Sequence, residues 1–290
     1  MLHSYSTPIL AEANGFALNE DTKSVYSKLR ELPFADFCEL MFIVPSCYKG
    51  LRKLLPTMPA DDIQKRWTGH SGHQLLAKSC NIVRLFQTIS YRINGRGLER
   101  CNLLDYGCGW GRLMRLMNYF TDQESLYGVD PMQLSLDVCR EHRVNGELAL
   151  CQSVPSDLPF RGVKFDFVYS YSVFTHTSED SSRAIMRAVR RQISDKGIFV
   201  ITVRPIEFWE VRRPTFGDAK VQELIDKHSS IGFAFEPTTL DGKSSSSTYG
   251  ETSMSFEYLR QMAATEGWKL ALIDCDVQEP YQIMVALTPS

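Results

Sequence analysis

Two spacings of apolar residues divide the chain. Over the first hundred residues they recur three and four apart, the period of helices with one buried face. Pro33 opens one such segment, with Phe34, Phe37, Cys38 and Met41 on a single stripe and Pro45 as its stop. Residues 61–67 predict a short helix. Residues 72–93 predict a long one, with Leu76, Cys80, Val83 and Phe86 in register and Gly95 and Gly97 beyond its end. The break between them reads Trp67-Thr68-Gly69-His70-Ser71-Gly72.

After Leu98 the pattern alternates. Short apolar runs at 101–105, 126–130, 147–152, 165–170 and 198–203 predict strands. Helical spacing separates them: Leu113, Leu116, Met117 and Phe120; then 132–142; then Ile185, Val189 and Ile193, ending near Gly197. A helix with Phe256, Leu259 and Met262 ends at Gly267, and 268–275 with 281–287 predict a closing hairpin. Alternation of this kind predicts a parallel α/β sheet, and the terminal hairpin adds an antiparallel last strand. The stretch between Arg204 and that final helix is too long for a turn. It carries Phe208, Trp209, Phe216 and His228, the aromatic run Gly232-Phe233-Ala234-Phe235, and a loop at 241–248 that is flexible by composition.

The densest chemistry lies in Leu103-Leu104-Asp105-Tyr106-Gly107-Cys108-Gly109-Trp110-Gly111-Arg112. A strand, a glycine loop and a helix start bring backbone close to a ligand. Asp105 adds an acceptor-only carboxylate, which suits an ammonium. A dinucleotide fingerprint spaces its glycines as G-x-G-x-x-G instead. Downstream, Leu126-Tyr127-Gly128-Val129-Asp130 is a second apolar strand ending in an acid.

These stretches resemble motif I and the following acidic strand end of class I S-adenosylmethionine (SAM)-dependent methyltransferases. Phe165-Asp166-Phe167-Val168 is similar to the family's fourth strand, and Asp157-Leu158-Pro159-Phe160 to the loop before it. The resemblance covers about 98–290. It implies SAM as cofactor, S-adenosylhomocysteine (SAH) as product, and a cofactor site built from Asp105, Gly107, Cys108, Gly109, Trp110, Gly111, Arg112, Asp130, Pro131, Met132 and Ser170. In the family the acid at Asp130 accepts from both ribose hydroxyls; its other reading is a cap for the next helix through Pro131. Positions 151–154 hold no acid for the adenine, and Asp157 is either that contact or a turn residue. Trp67 and His70 are candidates to line the cofactor's mouth, since helices before motif I often fold over it as a lid. A buried anchor tryptophan and a turn histidine are the alternative. His70 and His73 have no acidic or thiol companion, so no metal site is expected there.

The loop after strand four, Tyr171-Ser172-Val173-Phe174-Thr175-His176, lacks Asn/Asp-Pro-Pro-Tyr and lacks the carboxylate of a magnesium-dependent catechol-type enzyme. The catalytic candidates are His176, Tyr171 and Arg204. His176 is either a general base for a hydroxyl or a tie that holds the loop; phosphoethanolamine methyltransferases carry a histidine at a similar place. Trp110 or Tyr171 offers a ring face to a sulfonium. Arg204, at the edge of strand five, is an anion-binding residue or a solvated one. Ser178-Glu179-Asp180 is the acidic first turn of a helix, and Tyr249-Gly250-Glu251 is placed at the loop exit to reach an acceptor.

The expected fold is a doubly wound α/β domain with seven strands in the order 3-2-1-4-5-7-6, the last antiparallel. A helical lid occupies 1–97, the SAM-binding domain 98–290, and a substrate cap is inserted at about 205–252. The expected reaction is O-methylation of a small hydroxylated metabolite or sugar. Rivals are N- or C-methylation, a nicotinamide-type oxidoreductase, and a SAM-binding scaffold without turnover. With 43% hydrophobic and 23% charged residues and a net charge of −2, the balance of the 290-residue chain argues against a nucleic-acid groove, where a basic face is expected, and leaves room only for a local basic patch. No apolar run is long enough for a membrane span and no secretory signal opens the chain. Eight cysteines without C-x-x-C fit a reducing, cytoplasmic setting.

Overall fold

The computed structural model describes residues 6–238, 247–275 and 278–290. Two compact units emerge, one from Met1–Thr88 with Gly97–Leu150, the other from Ile89–Arg96 with Cys151–Ser290.

The first unit opens with α1 (Ser6–Leu18), α2 (Thr22–Leu29), α3 (Phe34–Phe42), α4 (Lys49–Leu54), α5 (Asp61–Thr68) and the start of α6 (Gly72–Asn94). The periodicity anticipates α3, α5 and α6 and misses the other three. For α1 the cause is visible, because its buried stripe is Ser6, Leu10, Ala13 and Ala17. Small residues make that contact, and they carry little hydropathy signal. Gly50 sits on it so closely that an added Cβ would lie 2.8 Å from Asn14 O. Then come β1 (Leu103–Tyr106), α7 (Met114–Met117), β2 (Leu126–Asp130), α8 (Gln133–Glu141) and β3 (Glu147–Leu150). The expected helix from Gly111 to Phe120 shrinks to one turn of α-helix flanked by turns. Its four apolar residues are all buried, so the spacing reports the core contact rather than helix length.

The second unit holds β4 (Phe165–Ser170), α9 (Glu179–Gln192), β5 (Ile193–Val203), α10 (Phe208–Phe216), α11 (Asp218–Ile231), β6 (Phe233–Pro237), β7 (Gly250–Met254), α12 (Phe256–Thr265), β8 (Trp268–Cys275) and β9 (Ile283–Pro289). Ser178 caps α9 through its hydroxyl, which accepts from Ser181 N–H, and Glu179 and Asp180 follow in the first turn. α9 ends five residues before Gly197, and β5 takes the difference, pairing Ile193 with Phe165 before a register shift.

Seven strands form one sheet in the order β3-β2-β1-β4-β5-β9-β8, parallel from β1 to β2, from β2 to β3 and from β4 to β5. β9 runs antiparallel to both β5 and β8. This is the expected topology, with the last two strands renumbered because the insertion contributes a two-stranded sheet of its own, β6 with β7. The insertion also contributes α10 and α11, which bury Phe208, Trp209, Val221 and Leu224 against Ala234. Residues 241–246 of the loop expected to be flexible lie outside the described residues.

Candidate functional site

The glycine loop is fixed by the strand beside it. Gly107 and Cys108 both donate their N–H to Val129 O, at 2.8 and 3.0 Å. Gly109 N–H donates to Asp130 Oδ2 at 2.9 Å, and Met132 N–H to Oδ1 at 2.8 Å. Asp130 therefore does cap the chain that follows it. One backbone donor on each oxygen still leaves each a lone pair for another hydroxyl. Burial pushes this carboxyl above its ordinary range, while those N–H groups pull the other way.

The glycines do different work. Gly111 has φ +75°, and a Cβ there would lie 2.6 Å from Val144 Cγ1. It exists for close packing. Gly109, with φ +54°, has only Trp67 near that position, its Cδ1 at 3.5 Å. α5 thus delivers the Trp67 ring beside the loop, and Gly69 in the left-handed region ends that helix directly afterwards. His70 accepts at Nε2 from Lys78 Nζ, 2.6 Å away. Arg112 donates to Ser79 Oγ at 3.2 Å. Trp110 is 1% exposed and carries the Arg115 guanidinium 4.9 Å from its ring centroid. One face of that ring is therefore taken by a protein cation. Arg115 itself donates to Thr57 O at 3.0 Å, and burial pushes its pKa down to about 10.

In the second unit β4 ends at fully buried Ser170, and the next residues turn sharply, with Ser172 at φ +62° and its N–H bonded to Thr202 Oγ1 at 2.7 Å. Tyr171 is half-buried in that turn. Its companion Val173 O accepts from His176 N–H. Strand β7 lies along the loop: Thr252 N–H donates to Thr175 O, and Gly250 N–H to His176 O. His176 Nδ1 lies 2.8 Å from Gly250 O and Nε2 3.0 Å from an Arg204 nitrogen. A carbonyl requires a donor and a guanidinium requires an acceptor, so the ring is the neutral Nδ1–H tautomer. Burial, with Arg204 beside it, pushes the His176 pKa down to about 4. Tyr249 stacks on the imidazole, centroids 5.3 Å apart and planes 7° from parallel.

Arg204 is 7% exposed. It donates to Thr175 O, is paired with Glu251 Oε2, and lies 4.0 Å above the Phe208 ring. It is not a solvated surface arginine. Glu251 Oε1 accepts a second guanidinium, Arg212, at 3.0 Å. Farther along β7, Ser253 Oγ is bonded by Trp209 Nε1 at 2.6 Å and His228 Nδ1 at 2.7 Å.

Residues 104–201 match the family model of a methyltransferase domain, which begins in β1 and ends in β5. Over those residues the chain is similar to methyltransferase domains. Solved structures agree on the fold. A magnesium protoporphyrin IX methyltransferase from Synechocystis, solved with bound SAH, is 13% identical with a TM-score of 0.50, over 79% of this chain and 94% of that one. The methyltransferase CcbJ of Streptomyces caelestis is 14% identical with a TM-score of 0.51, over 79% and 96%. A glycopeptide N-methyltransferase is 12% identical with a TM-score of 0.50, over 75% and 97%. A sequence comparison with curated proteins finds no match.

The expected site residues fall into two groups. Asp105, the glycine loop, Asp130, Met132, Arg112 and Trp67 belong to the first unit; Ser170, Tyr171, His176 and Arg204 belong to the second. Pro131 is exposed beside Asp130. Asp157 accepts from its neighbour Leu158 N–H at 3.0 Å. Arg212 and Ser253 carry no motif and are not singled out in the sequence; His228 is noted there only as the residue before an aromatic run.

Proposed function

We propose that this protein transfers the methyl of SAM to a small-molecule acceptor. The carrying observation is the hydrogen bond between Gly109 and Asp130, within the stretch that matches the methyltransferase family. It ties the glycine loop to the strand-end acid, so a carboxylate able to accept hydroxyls is held beside a loop kept open by glycine. Those are the groups an aminoacid–ribose ligand needs. Asp105 supplies a buried carboxylate for an ammonium. Trp67, Arg112, Pro131, Met132 and Ser170 complete the set we assign to the cofactor.

When bound, SAM supplies a methyl on a sulfonium, displaced in line. The chain's part is then positioning. The expectation from sequence is oxygen methylation of a hydroxylated metabolite or sugar. The state of His176 favours a nucleophile that arrives ready: an amine that is neutral, or an oxygen already ionised. Both its ring nitrogens are engaged, and its basicity is depressed. Tyr171 we assign to the acceptor side as a ring wall, Arg204 as an anchor for the loop and for charge. We assign 1–97 as the lid region and 205–252 as the substrate cap, supported by Trp67 beside Gly109 and by Glu251 beside Arg204. All eight cysteines are free, which suits a reducing cytoplasm.

The test is calorimetry with SAM and NAD, followed by a tritiated-methyl transfer screen over small-molecule fractions of cell extract. SAM binding with label entering a small molecule supports the proposal. NAD binding without SAM binding overturns it. SAM binding with no transfer points to the scaffold.

A further inference from the structure

Charge in the second unit does not balance around Glu251. Two guanidiniums, Arg204 and Arg212, share that one carboxylate, one on each oxygen. His176 adds nothing, because its Nε2 accepts from Arg204 and so carries no proton. Among the described residues no other acid is paired with either arginine: Glu210 and Asp218 pair with Arg213, and Glu236 with Lys220. The group therefore holds one positive charge in excess. Arg204 is 7% exposed, and the Nε of both arginines is buried with no partner among the described residues. An unbalanced buried charge is costly unless something neutralises it.

The two arginines differ in freedom. Arg204 is held on every side, by Thr175 O, Glu251, His176 and the Phe208 ring. Arg212 has one carboxylate partner and a side chain 32% exposed. It is the member that reaches solvent. The group stands at the carboxyl ends of β4 and β5, the edge at which open α/β sheets take their ligands.

From this geometry we propose that Arg212, backed by Arg204, anchors a carboxylate on the acceptor. The proposal deepens the methyltransferase reading and rests on it. A guanidinium fork matches the two oxygens of a carboxylate, and a single negative charge cancels the excess. A phosphate monoester, with nearly two, would overshoot it. The acceptor is then a small organic acid whose methylated atom is held elsewhere in the molecule. Because the anchor is a protein cation, an uncharged analogue loses its partner and leaves the guanidinium unpaired.

The test titrates the full chain with sodium benzoate, followed by saturation-transfer NMR, without and with SAH. Benzamide serves as the uncharged isostere and phenyl phosphate as the more highly charged one. Expected is saturable benzoate binding, at least tenfold weaker for benzamide and at least tenfold weaker in Arg212→Gln, with part recovered in Arg212→Lys. SAH affinity measured by calorimetry should be the same in both variants, and circular dichroism should report an intact fold. Benzoate binding that is absent, or equal in wild type and Arg212→Gln, overturns the anchor; so does benzamide binding equally well. Tighter binding of phenyl phosphate than of benzoate overturns the carboxylate assignment. Failure of the wild type to bind SAH strikes the methyltransferase reading instead, and leaves the benzoate result to decide the anchor alone.

Discussion

The main-chain N–H of Gly109 donates to the carboxylate of Asp130 over 2.9 Å, joining two motifs 21 residues apart. The bond has two consequences. It fixes the peptide plane of the loop, and it orients an acid whose remaining lone pairs face outward from its backbone partners. The strand-end acid and the glycine loop thus behave as one part.

Replacing Asp130 by Ala should weaken SAM binding at least tenfold. Two charge-assisted hydrogen bonds to ribose, each worth about 1.5–3 kcal/mol, are removed. The loop also loses its tether at Gly109. Calorimetry reads the affinity and circular dichroism the fold; an unchanged affinity removes the ribose assignment.

His176 makes stability depend on pH. Its folded pKa of about 4 lies below the unfolded value near 6.5. Between those two the unfolded chain binds a proton that the folded chain does not, so stability falls as pH drops from 6.5 towards 4. The difference is of order 3 kcal/mol and is fully restored above pH 6.5. Urea midpoints at pH 7 and pH 5 should move apart more in wild type than in His176→Gln. Turnover should show no inflection near pH 6.5 from this residue, unlike a histidine acting as a free base. Equal pH slopes for the two proteins would place the imidazole in water.

Glu251→Gln should destabilise by about 3–5 kcal/mol, since it leaves two guanidiniums without their shared anion. Chemical denaturation measures this directly. A loss below about 1 kcal/mol is what an exposed pair gives, and it would show that the arginines are solvated.

The parts of this fold legible in sequence are those where backbone geometry demands particular residues. A strand end, alternate glycines and a second strand end make the glycine loop and its strands legible, and Phe165–Ser170 matches its strand to the residue. The seven-strand order is implied by the family resemblance, while the alternation itself implies only a parallel α/β sheet. What stayed hidden depends on contacts between distant segments. α1 hides because it packs through Ser6, Ala13 and Ala17. Nothing in sequence tells that Arg115, five residues after Trp110 and second in α7, lies over its ring. His176 stays open between base and loop tie because nothing in its own loop tells that β7, 74 residues on, supplies the carbonyl for Nδ1. Arg204 is the partial case. Its position at a strand edge is visible, but the carboxylate that shares it with Arg212 is not.

The sharpest comparison lies within the motif itself, between Gly111 and Gly109. Both have positive φ, so an alanine at either is strained by about 1 kcal/mol or more. Beyond that they part. At Gly111 the new methyl would stand 2.6 Å from Val144 Cγ1 and 3.2 Å from Cys139 Sγ, which overpacks a core and costs about 1–3 kcal/mol more. Val144→Ala should recover much of that second loss, because it removes the atoms in conflict. At Gly109 the methyl would meet only Trp67, at an ordinary 3.5 Å. The loss there should fall on ligand binding, since the methyl occupies the open side of the loop. Gly111→Ala is therefore expected to lower the thermal midpoint with SAM affinity nearly kept in the folded fraction. Gly109→Ala should lower SAM affinity at least tenfold with a smaller change in midpoint. Paired scanning calorimetry and titration calorimetry separate the two. If Gly109→Ala binds SAM as wild type does, the loop does not face the cofactor and the assignment of Gly109 falls with it.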